Sequence, residues 1–336
     1  MKAKIKPRID LINSEELKNA IPLRTPYIIH IDPCDTCNFK CKFCPTGCAE
    51  TMKETPNRGH GVMDFEVYKD IINGICQFDD KVKVIRLYKD GEPLLNPHFA
   101  DMVRYAKQSG CCERVDTTTN ASLLTPELSR SIIDAGLDRI NISVEGMNAE
   151  QYADFSRYQI DFETFVGNIA YFYEHRKQCE MNVKINGDIL TEEQTRAFYE
   201  TFGNITDGIF VERAIDYWPT FQQEKVDIDE SVNILGDASR NEVLICPYIF
   251  YEMAINSDGS YSLCRFDWKH NLHLGLEFGL YKSPKKVWDS ISLWRTQQQF
   301  LEGKRKWRPF CCDCGELKQG MPQDLDKYAE TLLDEM

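Results

Sequence analysis

Six short apolar, β-branched runs recur along the first two-thirds of the chain, at residues 27–32, 82–88, 114–119, 139–144, 181–186 and 208–213. Runs of that length bounded by polar turns predict buried strands. Between them, apolar residues return at helical spacing over 64–78, 97–109, 125–135, 162–179 and 191–202. Strand and helix therefore alternate, which predicts a parallel sheet with helical crossovers. Past Trp218 the rhythm breaks. Residues 219–241 read as a polar connector, 248–256 and 259–263 as a hairpin turning at Asn256-Ser-Asp-Gly259, and 285–301 as one helix.

With 336 residues, 42% of them hydrophobic and 28% charged, the chain has the make-up of a globular domain with an appendage. Forty Lys and Arg against 53 Asp and Glu give a net charge of -13, which argues against nucleic acid as a partner, since phosphate binding needs a basic face. No run of about 18 apolar residues occurs, so no membrane span is expected. The opening Met1-Lys-Ala-Lys-Ile-Lys-Pro-Arg has no signal-peptide core, and the expected location is cytoplasmic. Fourteen cysteines are then conspicuous, because structural disulfides are rare in a reducing compartment. They fall into two groups: Cys34, Cys37, Cys41, Cys44 and Cys48 near the start, and Cys246, Cys264, Cys311, Cys312 and Cys314 in the last third.

Cys37, Cys41 and Cys44 follow the first predicted strand with C-x3-C-x2-C spacing, which brings three thiolates onto one loop. A four-iron cubane usually takes four thiolates; three leave one iron open to chelate a small molecule. Zinc is the rival, with Cys34, Cys48 or His30 as a fourth ligand, and spacing alone leaves both open. Polar residues close several later strands: Asp90-Gly-Glu-Pro, Thr118-Thr-Asn120, Ser143-Val-Glu145, Lys184-Ile-Asn186 and Glu212-Arg213. In βα barrels and open α/β sheets, chemistry collects at those C-terminal strand ends.

The triplet with Phe43 just before its last cysteine, in the loop after the first strand of a βα series, resembles the signature of the radical S-adenosylmethionine (SAM) enzymes. Gly91-Glu92-Pro93 resembles the end of that family's Gly-Gly-Glu-Pro motif, which binds the methionine amino group; Asp90 stands where the first glycine is expected. Thr118 and Asn120 match a Thr-Asn run, and Ser143 with Glu145 a polar pair facing the cofactor's ribose and carboxylate. The resemblance spans about residues 25–215 and implies an α/β fold, a partial (β/α)6 TIM-like barrel, with a [4Fe-4S] cluster on Cys37, Cys41 and Cys44. Cleavage of SAM to a 5'-deoxyadenosyl radical is the implied activity, with a flavodoxin or ferredoxin as electron donor.

Cys246, Cys264 and the Cys311/Cys314 C-x2-C pair supply four thiolates that also fit a zinc ribbon. Here the pattern resembles the SPASM auxiliary-cluster domain in its shortened twitch form, of the butirosin aminocyclitol dehydrogenase type. That resemblance implies a small α+β domain holding a second [4Fe-4S] cluster, with Cys312 and six other cysteines left as free thiols. The expected division is an extension at 1–24, the barrel at 25–218, a connector at 219–244 and the auxiliary domain with its tail at 245–336.

A fully ligated second cluster suits electron transfer, and the expected reaction is dehydrogenation of a sugar, nucleotide sugar or aminocyclitol alcohol. Arg213, Glu212, Lys184 and Asp188 are candidates for positioning the hydroxyl or taking its proton. Peptide modification and redox-neutral epimerisation are the competing enzymatic readings, and a zinc-bound interaction protein the non-enzymatic one. Only 36 residues precede Cys37, short of the peptide-recognition domain that peptide modifiers often carry, which favours a small-molecule substrate. Lys304-Arg-Lys-Trp-Arg308 and residues 282–286 are candidate basic patches for the acidic donor.

Overall fold

The computed structural model describes residues 1–7, 16–59, 61–221, 228–274, 283–312 and 314–336. In chain order the elements to the seventh strand are β1 Lys4–Ile5, β2 Ile28–Ile31, α1 Ala49–Lys53, α2 Phe65–Ile75, β3 Val82–Leu87, α3 Phe99–Ser109, β4 Cys112–Thr119, α4 Pro126–Ala135, β5 Arg139–Val144, α5 Ala149–Phe155, α6 Phe162–His175, β6 Glu180–Asn186, α7 Glu192–Phe202 and β7 Gly208–Glu212. There follow β8 Glu252–Ile255, β9 Tyr261–Ser262, β10 His273–Leu274, α8 Pro284–Trp288, α9 Ile291–Leu301, α10 Pro309–Cys312, α11 Glu316–Gln319 and α12 Ala329–Glu335.

Among the described residues, the ten strands share one sheet, ordered β1-β7-β6-β5-β4-β3-β2-β8-β9-β10. Pairing is parallel from β1 across to β8 and antiparallel only at β8-β9-β10. The six predicted strands, β2 to β7, form the α/β partial barrel. One face carries Ile29, Ile31, Ile85, Leu87, Val115, Ile140, Ile142, Val183 and Ile185, all buried. Alternation puts a polar set on the other face: His30 is in register with Arg86 and Arg86 with Asp116, Thr118 with Asn141 and Asn141 with Asn182, and Ser143 with Lys184.

The helices start where the sequence carries capping residues. Asp64 accepts hydrogen bonds from the Glu66 and Val67 amides, Thr125 with Pro126 opens α4, and Thr191 with Gln194 forms a capping box on α7.

Four features depart from the sequence reading. The N-terminal extension adds β1 to the sheet edge beside β7, pairing Lys4 with Gly208. The predicted first strand of the hairpin is shorter, because Tyr248–Phe250 forms a 3-10 turn, and β8 lies parallel to β2, with Ile28 opposite Glu252. The C-terminal region is thereby continuous with the barrel sheet. The helix expected at 285–301 is two helices, since Ser290 caps α9 by accepting from the Leu293 amide. Helix α5 has no sequence counterpart; its signal was Asn148, whose side chain caps it through the Gln151 amide.

Candidate functional site

The loop bearing Cys37, Cys41 and Cys44 leaves the C-terminal end of β2 and is clamped from two sides. On one side, the Lys40 and Lys42 amides donate to the Ser156 and Phe155 carbonyls at 2.8 and 3.1 Å, and Phe43 stacks on Phe155 with ring centres 5.4 Å apart. Phe39 packs edge-on to Tyr152. Helix α5 and its exit are therefore the clamp. On the other side sits Gly91, where an added Cβ would lie 2.2 Å from the Thr36 carbonyl and 2.4 Å from that of Cys34. Only glycine lets the turn after β3 approach the loop so closely. The Glu92 amide then donates to the Thr36 carbonyl at 2.9 Å.

Burial pushes the Cys37 thiol up to about 12 and raises Cys41 and Cys44 as well, and the three thiols act on one another electrostatically. A set of buried thiols deprotonates readily only when a metal centre takes the charge. The three residues weighed as a fourth ligand have partners of their own. Cys34 contacts the Thr36 hydroxyl at 3.2 Å, Cys48 accepts from the Thr51 hydroxyl at 3.0 Å, and His30 lies 3.4 Å from Glu252. Burial lowers His30 to about 4.

Glu92 is buried, and its carboxylate accepts from the Leu94 amide at 3.0 Å, the Thr119 hydroxyl at 2.5 Å and the Asn120 amide at 2.8 Å. Thr119, which the sequence reading passed over, makes the contact. Thr118 lies in the alternate register, 3.5 Å from Asn141 Nδ2. Pro93 opens the 3-10 turn Pro93–Leu95. The Asn120 amide group donates to Asn38 Oδ1 at 2.9 Å and reaches Cys37 Sγ at 3.8 Å, so the strand β4 end touches the cysteine loop. Desolvation raises Glu92 to about 7 against these donors.

Glu145 follows β5, two residues beyond Ser143, and is buried. Desolvation raises it to about 7, with Lys184 pulling it down and Glu212 pushing it up, and its charge reaches Cys41. Lys184 Nζ and Glu212 Oε2 are 3.0 Å apart. These two candidates thus stand near Glu145. Arg213 is engaged otherwise, 2.6 Å from Asp188, whose other oxygen accepts from the Ala214 amide.

Asp90, the unexpected residue of the turn, is fully buried in a charged cluster. Burial works against its ionisation, yet Lys89, Arg58 and His270 hold its carboxyl well below the usual range.

The second cysteine set lies in the C-terminal region. Cys246 precedes the Tyr248–Phe250 turn, Cys264 follows β9, Cys311 is in α10, and Cys314 precedes α11. Burial lifts Cys246 to about 12 and Cys311 to about 11, and raises Cys264 and Cys314; Cys246, Cys264 and Cys314 each feel the charge of others in the set. Arg305 braces the set, donating to the Leu244 and Cys311 carbonyls and pairing with Glu242 at 2.5 Å. Cys312 is exposed and turns away, its thiol 2.8 Å from the Lys306 carbonyl. All fourteen thiols are free.

The basic run expected to greet an acidic donor is not an open cationic face. Arg305 is buried, and Lys304 and Lys306 pair with Glu302 and Glu242 at 2.6 and 3.0 Å. In the other stretch, Lys285 pairs with Asp289 at 3.1 Å, and Lys282 lies outside the described residues. Among the described residues, no three His, Cys, Asp or Glu side chains are drawn together for a single metal ion. A cubane binds each thiolate on a separate iron, so its ligands stand farther apart than those of one ion.

A parallel partial barrel with a three-cysteine loop at the C-terminal end of its first barrel strand defines a radical SAM enzyme. The Radical SAM superfamily profile matches residues 31–202, half of the chain, and the chain belongs to that superfamily. Membership implies a [4Fe-4S] cluster and SAM, and the three free thiols at the mouth of the barrel fit the first of these. Among curated proteins, the AdoMet-dependent heme synthase of Methanosarcina barkeri is 27% identical over 162 residues, 48% of this chain and 43% of that protein. A GTP 3',8-cyclase of Vibrio atlanticus is 24% identical over 231 residues, 68% of this chain and 65% of that protein. The chain thus spans less than two-thirds of either relative.

Solved structures share the fold beyond the barrel. BtrN in complex with AdoMet and 2-DOIA superposes with a TM-score of 0.53 at 13% identity, over 89% of this chain and 97% of that one. Native anSMEcpe with bound AdoMet gives 0.59 at 12%, over 92% and 96%. Streptococcus suis SuiB bound to S-adenosylmethionine gives 0.60 at 16%, over 83% and 69%. Among the described residues, no helix is long and apolar enough to cross a membrane.

Proposed function

We propose that the chain is a radical SAM oxidoreductase that dehydrogenates an alcohol of a small polar substrate, a sugar, nucleotide sugar or aminocyclitol. The observation that carries this reading is the second thiol set. Cys246, Cys264, Cys311 and Cys314 are four sulfurs in mutual electrostatic contact, enough to close a second [4Fe-4S] cluster with no open iron. Such a cluster suits electron uptake. Cys37, Cys41 and Cys44 hold the first cluster, and their three-thiolate set is supported by the separate partners of Cys34, Cys48 and His30.

Bound at Cys37, Cys41 and Cys44, a cluster with SAM would supply hydrogen-abstracting radical chemistry, and one bound at Cys246, Cys264, Cys311 and Cys314 would supply an electron acceptor. The chain's own part is positioning. Gly91 lets the Glu92-Pro93 turn close on the cysteine loop, and Glu92, fixed by the Thr119 hydroxyl and the Asn120 amide, would hold the methionine amino group. Ser143 and Glu145 face the rest of the cofactor. Phe43 acts through its stack on Phe155, which fixes the loop. The Lys184–Glu212 pair, coupled electrostatically to Glu145, orients the substrate hydroxyl, with Glu212 taking its proton. Arg213 supports this pair's surroundings through Asp188.

Anaerobic turnover against sugars, nucleotide sugars and aminocyclitols, reading 5'-deoxyadenosine, tests the reading. A ketone formed with one SAM consumed per product is expected. Deuterium gained from solvent at an inverted carbon would instead establish epimerisation, and zinc without labile sulfide would sink every enzymatic version. A second reading, peptide modification, is favoured by the higher fold similarity to SuiB, which was also solved bound to precursor peptide SuiA. Flavodoxin or ferredoxin is the proposed electron donor.

A further inference from the structure

We propose that His270 is a positioning residue for the cofactor turn: through Asp90 it links the C-terminal region to SAM binding at Gly91-Glu92-Pro93. The inference rests on the reading of that turn as the SAM-binding element. His270 Nε2 lies 2.7 Å from Asp90 Oδ2, and Lys89 Nζ lies 2.5 Å from the same oxygen and 3.3 Å from the imidazole. The three side chains are within 1% of complete burial. A surface contact of this kind would be worth little, but at full burial the removal of one member leaves charge uncompensated, so the geometry of the three is tightly held.

Asp90 is contacted by several separate parts of the molecule. Its amide lies 3.4 Å from Asp32 at the end of β2, and its carbonyl accepts from the Thr46 hydroxyl at 2.7 Å, two residues past Cys44. Arg58 bridges the same Thr46 hydroxyl, the Asp35 carbonyl and the Trp268 carbonyl. Lys89 also donates to the Asp267 carbonyl at 3.2 Å. Asp267, Trp268 and His270 all lie within six residues of Cys264. The segment that follows Cys264 of the second set is therefore joined by buried polar contacts to the residue before Gly91.

A further observation points the same way. His270 has φ of +53°, a left-handed backbone that strains a residue with a Cβ. The loop keeps the imidazole there, and Asp90 occupies a position where the resemblance expects glycine. Each residue alone departs from the simpler choice; together they form one contact.

The test is a double-mutant cycle of Asp90→Asn and His270→Gln on the reconstituted full chain, with His270→Ala as a second variant. The readouts are iron per chain, the change that SAM makes to the EPR spectrum of the reduced enzyme, and KM for SAM against kcat. Each single variant is expected to weaken SAM on the order of tenfold, with kcat at saturating SAM and iron content near wild type. The double variant is expected to be no worse than the worse single. Unchanged SAM affinity in the singles, additive losses in the double, or loss of iron in step with affinity would overturn the proposal. Absence of any SAM effect on the wild-type spectrum would instead overturn the reading of the turn itself.

Discussion

Replacing Gly91 by alanine tests the close approach on which the proposed SAM-binding turn depends. The added Cβ would meet the Thr36 carbonyl at 2.2 Å, the Cys34 carbonyl at 2.4 Å and the Thr36 amide nitrogen at 2.7 Å. All three are backbone atoms of the segment that leads into Cys37, so no side chain can swing aside. Comfortable contact begins near 3.5 Å, so turn and loop must part by roughly 1 Å. Overpacking of this kind costs about 1–3 kcal/mol of stability. A displacement of that size at a reacting centre costs on the order of a hundredfold in rate, because the groups that hold the reactant no longer agree. The assay is anaerobic 5'-deoxyadenosine release under dithionite, with KM for SAM and a thermal melt on the same preparation. Gly167→Ala is the control: it lies in α6 with open space around its added Cβ, and a helical alanine is expected to be neutral or stabilising. A Gly91→Ala protein that keeps both rate and SAM affinity within twofold would refute the role given to this close approach.

Cys264→Ser is expected to lower iron from about eight to about four per chain while SAM cleavage continues without ketone formation; iron analysis and product detection check this, and undiminished product would remove the second cluster from the reaction. Arg305→Ala breaks a guanidinium network with Leu244, Cys311 and Glu242, and is expected to cost roughly 1–3 kcal/mol, since Glu242 keeps access to water. A melt unchanged from wild type would contradict it. Lys184→Met is expected to lower kcat with little change in SAM affinity, and an equal loss of SAM binding would place Lys184 with the cofactor instead. For pH, burial raises free Glu92 to about 7, and pairing with a cationic amino group requires the ionised form. SAM affinity should therefore rise with pH up to about 7 and level above it, whereas a flat profile by titration at pH 6, 7 and 8 would argue against Glu92 as that partner. The stability sign is the reverse: this raised carboxyl favours the folded apoprotein most below its ordinary value of 4.5, and the contribution is lost as pH rises through about 7.

Periodicity and spacing alone determined much of this protein. The six strands β2 to β7 and their crossover helices follow from where apolar residues fall, because a strand must be apolar on its buried face and a covering helix must carry a stripe. The two cysteine sets were equally legible, since C-x3-C-x2-C and a C-x2-C pair stand out as close spacings in the sequence itself. Contacts between distant segments leave no such record. That Thr119 rather than Thr118 reaches Glu92 was decided by the register of β4 against the turn after β3. That α5 clamps the cysteine loop through Phe155 and Ser156, more than a hundred residues away, was decided by packing. β1 is two residues long, too short for any periodicity, and exists because the exposed edge of β7 offers it hydrogen bonds. Arg305 reads as part of a solvated basic run, yet its side chain is buried because the Leu244 and Cys311 carbonyls converge on it. Asp90 and His270 stand 180 positions apart, and only the fold of the C-terminal region onto the edge of β2 brings them to 2.7 Å.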